Sequence, residues 1–421
     1  MAKFFLDCRG KGIIGGSIIL IDHKPFRELD EIVGHAVRSL YLNCGATDIY
    51  METGEKDLWN ILTRLWLNMV WKKIYITGGV GSRYSGESFG DEYELPNYRA
   101  YCETCAAVAN IMWNWRMLMA SGDPYYNTLI ELTLYNAALA GISLDGMKYF
   151  YVNPLADRGF RRRQEWFSCA CCPPNIARLI ASLPGYIYSI SSDGIYIHLY
   201  IQSKAVIDFM GERIVVEQHT NYPWSEDVEI NLFLEEEMNF TLHLFIPGWV
   251  REAHTRIDDG NEHLYFSVPS PTYGGSYFNI SRCWRKGLNK IHIYFKMPVE
   301  KIVSHPHVLE NTCRVALMRG PIVYCLEHID NKSFDVWDLC IDRKAEFNVY
   351  YDSKLLNGVT VIEGNGIVRK NGFKEKYFLY LYKSLRDIEM SEKKVVFKAI
   401  PYYAWNNRKP GPMTVWIGLK Y

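Results

Sequence analysis

The sequence predicts a chain of two characters, helical over its first 184 residues and all-β from there to residue 421. Three observations carry this reading. Before Pro184, apolar residues recur at helical spacing in five long stretches. After it, short stretches alternate apolar and polar with period two, separated by Gly, Asn and Asp. The β part, at about 235 residues, also exceeds one ordinary sandwich of ~100. It is therefore divided near residue 300, which gives units 1–184, 185–299 and 300–421.

In the helical part, Pro25 precedes a stretch from Phe26 to Leu42 carrying Leu29, Ile32, Val33, Ala36, Val37 and Leu40, and proline favours a helix start. Leu58 to Ile74 repeats the pattern with Leu58, Ile61, Leu62, Leu65, Leu67 and Val70. Cys102 to Met119 is a third apolar helix, and Tyr125 to Ala140 a fourth after the turn Gly122-Asp123-Pro124. Pro173-Pro174 opens a fifth that runs through Ile176, Leu179, Ile180 and Leu183. Shorter helical pieces are expected at the start of the chain and around Thr47 to Glu52. In the β part, Ile195–Ile201, Val228–Leu234, Phe240–Ile246, Lys290–Phe295, Val315–Met318, Ile322–Leu326 and Tyr377–Tyr382 read as strands.

Composition excludes some functions. Basic and acidic residues number 47 each, so there is no cationic surplus for nucleic-acid phosphates. No run of ~18 apolar residues exists to cross a membrane as a helix. The N-terminus lacks the apolar core and cleavage site of a signal peptide. The 30 Tyr and 12 Trp suit stacking on sugar rings, although large cores need aromatics too. Of 11 cysteines, Cys102 and Cys105, then Cys169, Cys171 and Cys172, form two tight clusters, while the other six are scattered. Such clusters in a long chain indicate metal binding or catalysis in a reducing compartment, here the cytoplasm.

Three segments carry candidate chemistry. The loop Tyr75-Ile-Thr-Gly-Gly-Val-Gly-Ser82 lacks the Gly-Lys-Ser/Thr ending of a phosphate loop. Its glycines instead suit a sharp turn and close backbone approach. Glu87, between Gly86 and Phe89, is a candidate acid in a partly apolar setting that raises a carboxyl pKa. A solvated loop glutamate is the commoner reading of such a residue. Tyr101-Cys-Glu-Thr-Cys105 and Cys169-Ala-Cys-Cys-Pro-Pro-Asn175 together offer the thiolates and carboxylate that zinc accepts. Helical spacing nominates Cys102 with Cys105, because Glu103 and Cys105 lie ~200° apart on an ideal helix. Those two can share a metal only at a helix start or a distorted turn. Cys172 lies close to a helix N-cap, where the helix dipole favours a thiolate. A structural zinc site and a catalytic one are both open on these grounds.

These motifs, with Gly34-His-Ala-Val-Arg38, Gly86-Glu-Ser-Phe-Gly90, Leu95-Pro-Asn97, Phe150-Tyr-Val-Asn-Pro154, Asn221-Tyr-Pro-Trp224, Ile246-Pro-Gly-Trp249 and Leu317-Met-Arg-Gly-Pro-Ile-Val-Tyr324, resemble glycoside hydrolase family 127 and its relative, family 146. The resemblance runs over essentially the whole chain. It implies a partial (α/α)6 barrel followed by two β-sandwich domains, and a retaining glycosidase acting on β-L-arabinofuranosides with a zinc-bound cysteine nucleophile. It puts the nucleophile on Cys171, the acid/base on Glu87, the Zn2+ ligands on Glu103, Cys105, Cys171 and Cys172, and sugar contacts on His35 and Tyr151. By spacing alone His35 would sit mid-helix as a core histidine, and Tyr151 would be an ordinary strand aromatic. Cys102 then becomes an extra thiol, and Cys169 belongs to the motif without being a ligand.

The chain offers about half the helices such a barrel needs, so the resemblance implies that the N-terminal half of the barrel is lacking. An exposed apolar face is expected where it would pack, to be covered by a missing N-terminal segment or by self-association. The expected substrate is an arabinofuranose-containing oligosaccharide. The alternatives are a truncated, inactive zinc-binding fragment and a non-catalytic sugar-binding protein.

Overall fold

A computed structural model of the chain describes residues 1–258, 260–371, 381–382, 384–387 and 390–420. Among them six α-helices precede residue 185: α1 (Ala2–Cys8), α2 (Ala36–Thr53), α3 (Lys56–Lys72), α4 (Thr104–Ser121), α5 (Pro124–Thr133) and α6 (Cys172–Ser182). The layer is built around α4, which packs against α2, α5 and α6 and buries residues on every side. Three polar side chains trapped in this layer form a chain of hydrogen bonds. Trp66 Nε1 donates to Asn114 Oδ1 (2.7 Å), Asn114 Nδ2 to the Asn110 carbonyl (2.8 Å), and Asn110 Nδ2 to the Gly78 carbonyl (3.1 Å). Unpaired, each such buried group would cost about 1–3 kcal/mol.

The helix expected over 26–42 does not form as one piece. Phe26–Glu28 is a single 3-10 turn, Leu29 is extended, and α2 begins only at Ala36. Gly34 at φ +82 interrupts any helix there. The stretch before it is held extended from outside, Ile32 N–H donating to Asn68 Oδ1 (3.1 Å) and Phe89 N–H to the Gly34 carbonyl (3.0 Å). Leu29, Ile32 and Val33 are buried all the same, so their apolar character reflects burial rather than helix. The piece around Thr47 to Glu52 is the end of α2. The fourth helix also changes character, from α5 into a π turn at Leu134–Ala138 and a 3-10 turn at Leu139–Gly141. There the Asn136 side chain enters the helix ladder and takes the Leu132 carbonyl (2.8 Å).

The glycine loop after α3 lets two helices come close. Gly78 at φ +77 lies against Thr133, where a Cβ would fall 2.3 Å from Thr133 Oγ1. Gly81 at φ +82 lies against Ala36, 2.9 Å from its Cβ by the same measure. Only glycine combines this backbone with that proximity.

Two sheets follow. One has four strands in the order Ser276–Trp284, Met238–Ile246, Gly194–Ile197, Tyr188–Ile190. The other has six, in the order Ser203–Phe209, Glu212–Thr220, Asp227–Leu234, Gly287–Phe295, Glu252–Ile257, Glu262–Phe266. Their inner residues, among them Ile195, Leu242, Leu244, Val216, Ile230 and Ile293, form one buried cluster, as in a β-sandwich. Among the described residues, the last nine strands and one from the helical part form a single ten-stranded sheet rather than two separate layers. Arg314–Arg319 pairs with Ile322–Glu327, which pairs onward through Met390–Pro401, Val359–Asn371, Leu339–Asp342 and Ile417–Lys420 back to Arg314–Arg319. The sheet thus curls into a closed circuit whose walls face one another as sandwich layers do, but share hydrogen bonds. Of the strand expected over 377–382, residues 377–380 lie outside the described residues.

These parts are not beads on a string. Met318, Val323, Ile400 and Met413 from the last sheet, with Trp405 and Trp416 from its connections, share one core with the helices. The short strand Ala156–Arg158 pairs with Pro412–Thr414 and so adds an edge to that sheet. Exposed apolar residues concentrate near the start of the chain, at Phe4, Phe5, Ile13, Ile14 and Ile18, rather than on α4. Among the described residues, no helix is long and apolar enough to cross a membrane.

Asn136 ties helix to sheet: it donates to the Pro321 carbonyl (2.8 Å) and accepts from Val323 N–H (2.8 Å), all in the buried core. Asn136→Ala should lower stability by about 2–4 kcal/mol through the unpaired groups it leaves. Urea unfolding should then show a lower midpoint at unchanged slope. A loss under about 0.5 kcal/mol, no more than an ordinary surface change gives, would refute this link.

Candidate metal centre and active site

Two helix N-termini converge on one point. Glu103 is the N-cap of α4, with φ −60 and ψ 139, and Cys105 stands in the first turn. Because Glu103 is extended rather than helical, it escapes the ~200° separation and turns to the same side as Cys105. Its backbone is held by the segment carrying Tyr151. Glu103 bridges Val152, Thr104 N–H donates to the Tyr151 carbonyl (3.0 Å), and Asn153 Nδ2 donates to the Cys102 carbonyl (2.9 Å). Cys171 is the N-cap of α6 and Cys172 its first residue.

Ligand atoms of Glu103, Cys105, Cys171 and Cys172 all lie within 4.8 Å of one another. Cys105 Sγ is 3.5 Å from Cys172 Sγ, and Cys171 Sγ is 3.7 Å from Cys172 Sγ. Glu103 Oε1 lies 3.5 Å from Cys171 Sγ and 3.7 Å from Cys172 Sγ. Such spacings suit a tetrahedral ion with metal–sulfur bonds of about 2.3 Å. Cys102 is buried elsewhere, at φ +41 with its sulfur against Gly79, so the helical-face pairing of Cys102 with Cys105 is not the one formed.

The electrostatics call for a cation. Burial, together with the negative charge of Cys105, pushes the Glu103 carboxyl up to about 8. A hydrogen bond from the Cys172 thiol is the main reason Cys105 falls to about 6, and the same contact drives Cys172 upward. Burial pushes Cys171 up to about 12. Four groups that are anionic as ligands are thus packed where they cannot all ionise unaided. Glu103 Oε2 is buried with no hydrogen-bond partner, as a ligand oxygen awaiting an ion would be. The donor set of three sulfurs and one carboxylate therefore fits a metal.

Glu87 and His35 stand beside the cluster. His35 Nε2 lies 3.0 Å from Glu87 Oε2, and ligand atoms of His35, Glu87 and Glu103 fall within 4.8 Å of one another. His35 is not mid-helix; it is the N-cap of α2, and burial depresses its pKa. Glu87 sits at φ +49, a left-handed conformation that costs a non-glycine residue roughly 1–2 kcal/mol. The extended loop that replaces the expected helix holds both residues: His35 bridges Ser88, which pairs with Arg83. Tyr151 hydroxyl lies 3.3 Å from Cys171 Sγ. Tyr101, which sequence reasoning passed over, packs edge-on to Tyr151 (6.2 Å between centroids) and to Tyr84 (4.9 Å). No spacing rule marks Tyr101; only its place beside the Glu103 motif could have drawn attention to it.

Three family profiles match the chain: "Beta-L-arabinofuranosidase, GH127 catalytic domain" over residues 1–185, the GH127 middle domain over 194–297 and the family's C-terminal domain over 299–418. The chain belongs to glycoside hydrolase family 127. A GH127 β-L-arabinofuranosidase from Geobacillus stearothermophilus T6 superposes with a TM-score of 0.89 at 39% identity, covering 99% of this chain and 68% of that one. A second solved GH127 β-arabinofuranosidase gives 0.89 at 37%, covering 99% and 65%. The non-reducing end β-L-arabinofuranosidase of Bifidobacterium longum subsp. longum is 34% identical over 411 residues, covering 93% of this chain and 60% of that protein. The chain thus spans about three-fifths of the length of that relative.

Metal content separates the two cysteine assignments. Cys102→Ala should keep the metal affinity of the unmodified protein. Cys105→Ala and Cys172→Ala should each lose more than the 10–100-fold that removal of an outer partner costs. Chelator competition followed by elemental analysis measures both. Equal losses in all three variants would return Cys102 to the ligand set.

Proposed function

We propose that this family 127 chain carries the catalytic centre of a retaining glycoside hydrolase that acts on β-L-arabinofuranosides of plant-glycan oligosaccharides. The observation that carries this reading is the half-exposed Cys171 sulfur, flanked by Tyr151 hydroxyl at 3.3 Å and Glu103 Oε1 at 3.5 Å, with Glu87 adjoining Glu103. In this reading Cys171 is the nucleophile and Glu87 the general acid/base. Glu103, Cys105, Cys171 and Cys172 hold Zn2+, and His35 and Tyr151 contact the sugar. Bound zinc would supply the charge that keeps the three sulfurs and the carboxylate deprotonated together.

The chain's own groups then account for both steps. Cys171 Sγ attacks the anomeric carbon and forms a C–S bond, while the glycosidic C–O bond breaks and Glu87 gives its proton to the leaving oxygen. Water replaces the leaving alcohol, Glu87 takes its proton, and the hydroxyl oxygen displaces sulfur with net retention. His35, 3.0 Å from the Glu87 carboxylate, holds it in place through a strained loop.

We further propose the division at residues 184 and 299, a partial (α/α)6 barrel for the first unit, and a cytoplasmic setting in keeping with eleven unbridged cysteines. A family-type N-terminal segment, or a second copy, covers the apolar residues Phe4, Phe5, Ile13, Ile14 and Ile18. The competing reading, a non-catalytic zinc site, draws on Glu103, Cys105 and Cys172 being closed off from solvent. The accessible Cys171 favours catalysis.

Turnover of an aryl β-L-arabinofuranoside should rise when a family-type N-terminal segment is added to the chain. Cys171→Ser should abolish it at any level of supplementation. Glu87→Gln should slow alkyl glycosides by roughly 10²–10⁴-fold and nitrophenyl ones much less, because a good leaving group needs no acid. Retained turnover in Cys171→Ser would sink the mechanism, and equal Glu87→Gln losses on both substrates would remove Glu87 as the acid.

A further inference from the structure

Tyr84 takes no part in the two chemical steps, yet the fold fixes it beside the acid. It is the N-cap of the 3-10 turn Ser85–Glu87, and Glu87 N–H donates to its carbonyl (3.2 Å). Its ring meets Tyr101 edge-on at 4.9 Å, Tyr101 meets Tyr151 at 6.2 Å, and Tyr151 meets Phe167 at 5.6 Å between centroids. The four rings form a file along the site. One end, Phe167, lies on the segment that leads into Cys171, whose sulfur is 3.3 Å from the Tyr151 hydroxyl. The other end, Tyr84, belongs to the turn that carries Glu87. Tyr84 is 41% exposed but pinned. Arg161 Nη2 donates to its hydroxyl at 2.7 Å and to the Tyr98 carbonyl at 3.3 Å. Arg161 is itself anchored: its N–H donates to Oδ2 of the buried Asp157 (3.3 Å), and its carbonyl accepts from Asn406 Nδ2 (3.1 Å).

We propose that Tyr84, held by Arg161, is a specificity-determining residue that binds the sugar on the leaving-group side of the scissile bond. The inference rests on the reading above that Cys171 is the nucleophile and Glu87 the acid/base. In a retaining enzyme those two groups flank the glycosidic bond, and the acid reaches the leaving oxygen. The leaving group therefore extends away from Cys171, past Glu87, toward the Tyr84 end of the file. There an exposed aromatic face suits the apolar C–H face of a sugar ring. The Tyr84 oxygen accepts from Arg161, which leaves the phenol proton to donate to a sugar hydroxyl. The pin also matters energetically. A tyrosine held at its hydroxyl has already lost the rotamer freedom that stacking on it would otherwise cost. A methyl leaving group offers neither a ring nor a hydroxyl to this position.

The test compares two substrates on the full chain, supplemented with the N-terminal segment as above: methyl β-L-arabinofuranoside and a β-L-arabinofuranosyl disaccharide. Tyr84→Ala should lower the ratio of kcat/KM values, disaccharide over methyl glycoside, roughly tenfold, the combined worth of one ring contact and one hydrogen bond. Tyr84→Phe should lower it about threefold, since only the hydrogen bond is lost. Arg161→Met should act by a similar factor, because the ring keeps its area and loses its pin. Saturation-transfer NMR with the S-linked disaccharide gives a second reading on the full chain alone. Protons of the reducing-end sugar should receive saturation from the wild type and lose most of it in Tyr84→Ala. A purely structural Tyr84 would lower both kcat/KM values together and leave their ratio where it is. Should Tyr84→Ala fold poorly by circular dichroism, Tyr84→Phe and Arg161→Met decide by the same ratio. An unchanged ratio, or reducing-end protons saturated in Tyr84→Ala as in the wild type, would overturn the proposal alone. A wild-type chain that hydrolyses neither substrate would overturn it together with the reading it rests on.

Discussion

The geometry of the whole helical layer serves one constraint: four would-be anions from distant parts of the sequence must share a space under 5 Å across. No local element can deliver this. Glu103 and Cys105 come from the start of α4, Cys171 and Cys172 from the start of α6, some 68 residues later. Each pair sits where unpaired backbone N–H groups offer partial positive charge, which lowers the cost of gathering negative ones. What remains uncompensated is charge that a bound cation would neutralise. The sulfurs and the carboxylate do not share one protonation habit: a hydrogen bond with Cys172 draws Cys105 down, while burial pushes Cys171 and Glu103 up.

Around that point the fold supplies stiffness from behind and freedom in front. Behind, Phe150 stacks on Trp405 (4.9 Å), Arg163 lies over the Phe150 ring (4.3 Å) and donates to the Trp405 carbonyl, and Tyr402 hydroxyl donates to the Pro154 carbonyl. The last β unit thereby grips the strand-like segment 150–154 that positions both Glu103 and Tyr151. The sandwich joins through Glu131, buried between Tyr222 hydroxyl and Trp249 Nε1 and pushed by that burial up to about 7. In front, Cys171, Glu87 and His35 retain access to solvent, and the Glu87 backbone holds a conformation its residue type resists.

Much of this was legible in the sequence, and the exceptions have physical causes. The switch from helix to strand near residue 184 follows from periodicity, since 3.6 and 2.0 leave different marks. Six of the seven strands expected match strands found, because alternation survives whichever sheet the strand joins. The stretch 26–35 misled because burial on all sides imitates a helical stripe; Gly34 was the signal against it, a left-handed residue in a supposed helix interior. That error carried His35 into a helix when it caps one. Helical spacing alone would have chosen Cys102 over Glu103, and it fails because an N-cap is not helical; the motif resemblance chose Glu103 for reasons spacing could not supply. Tyr101 and the hydrogen bonds that join Tyr41 to Asn175 and Arg178 were invisible, since contacts between residues 41 and 175 leave no trace in local pattern. The closed circuit of the last sheet was likewise hidden, because period-two alternation does not say which strands pair.

The coordination of the ion is the most direct test of the central claim that Glu103, Cys105, Cys171 and Cys172 form one metal site. X-ray absorption at the zinc edge of the loaded chain should resolve three sulfur neighbours near 2.3 Å and one oxygen near 2.0–2.2 Å. Loss of one sulfur shell in Cys171→Ser should accompany it. Four sulfurs, which would bring Cys102 into the site, or a shell of nitrogen and oxygen alone, would contradict the account.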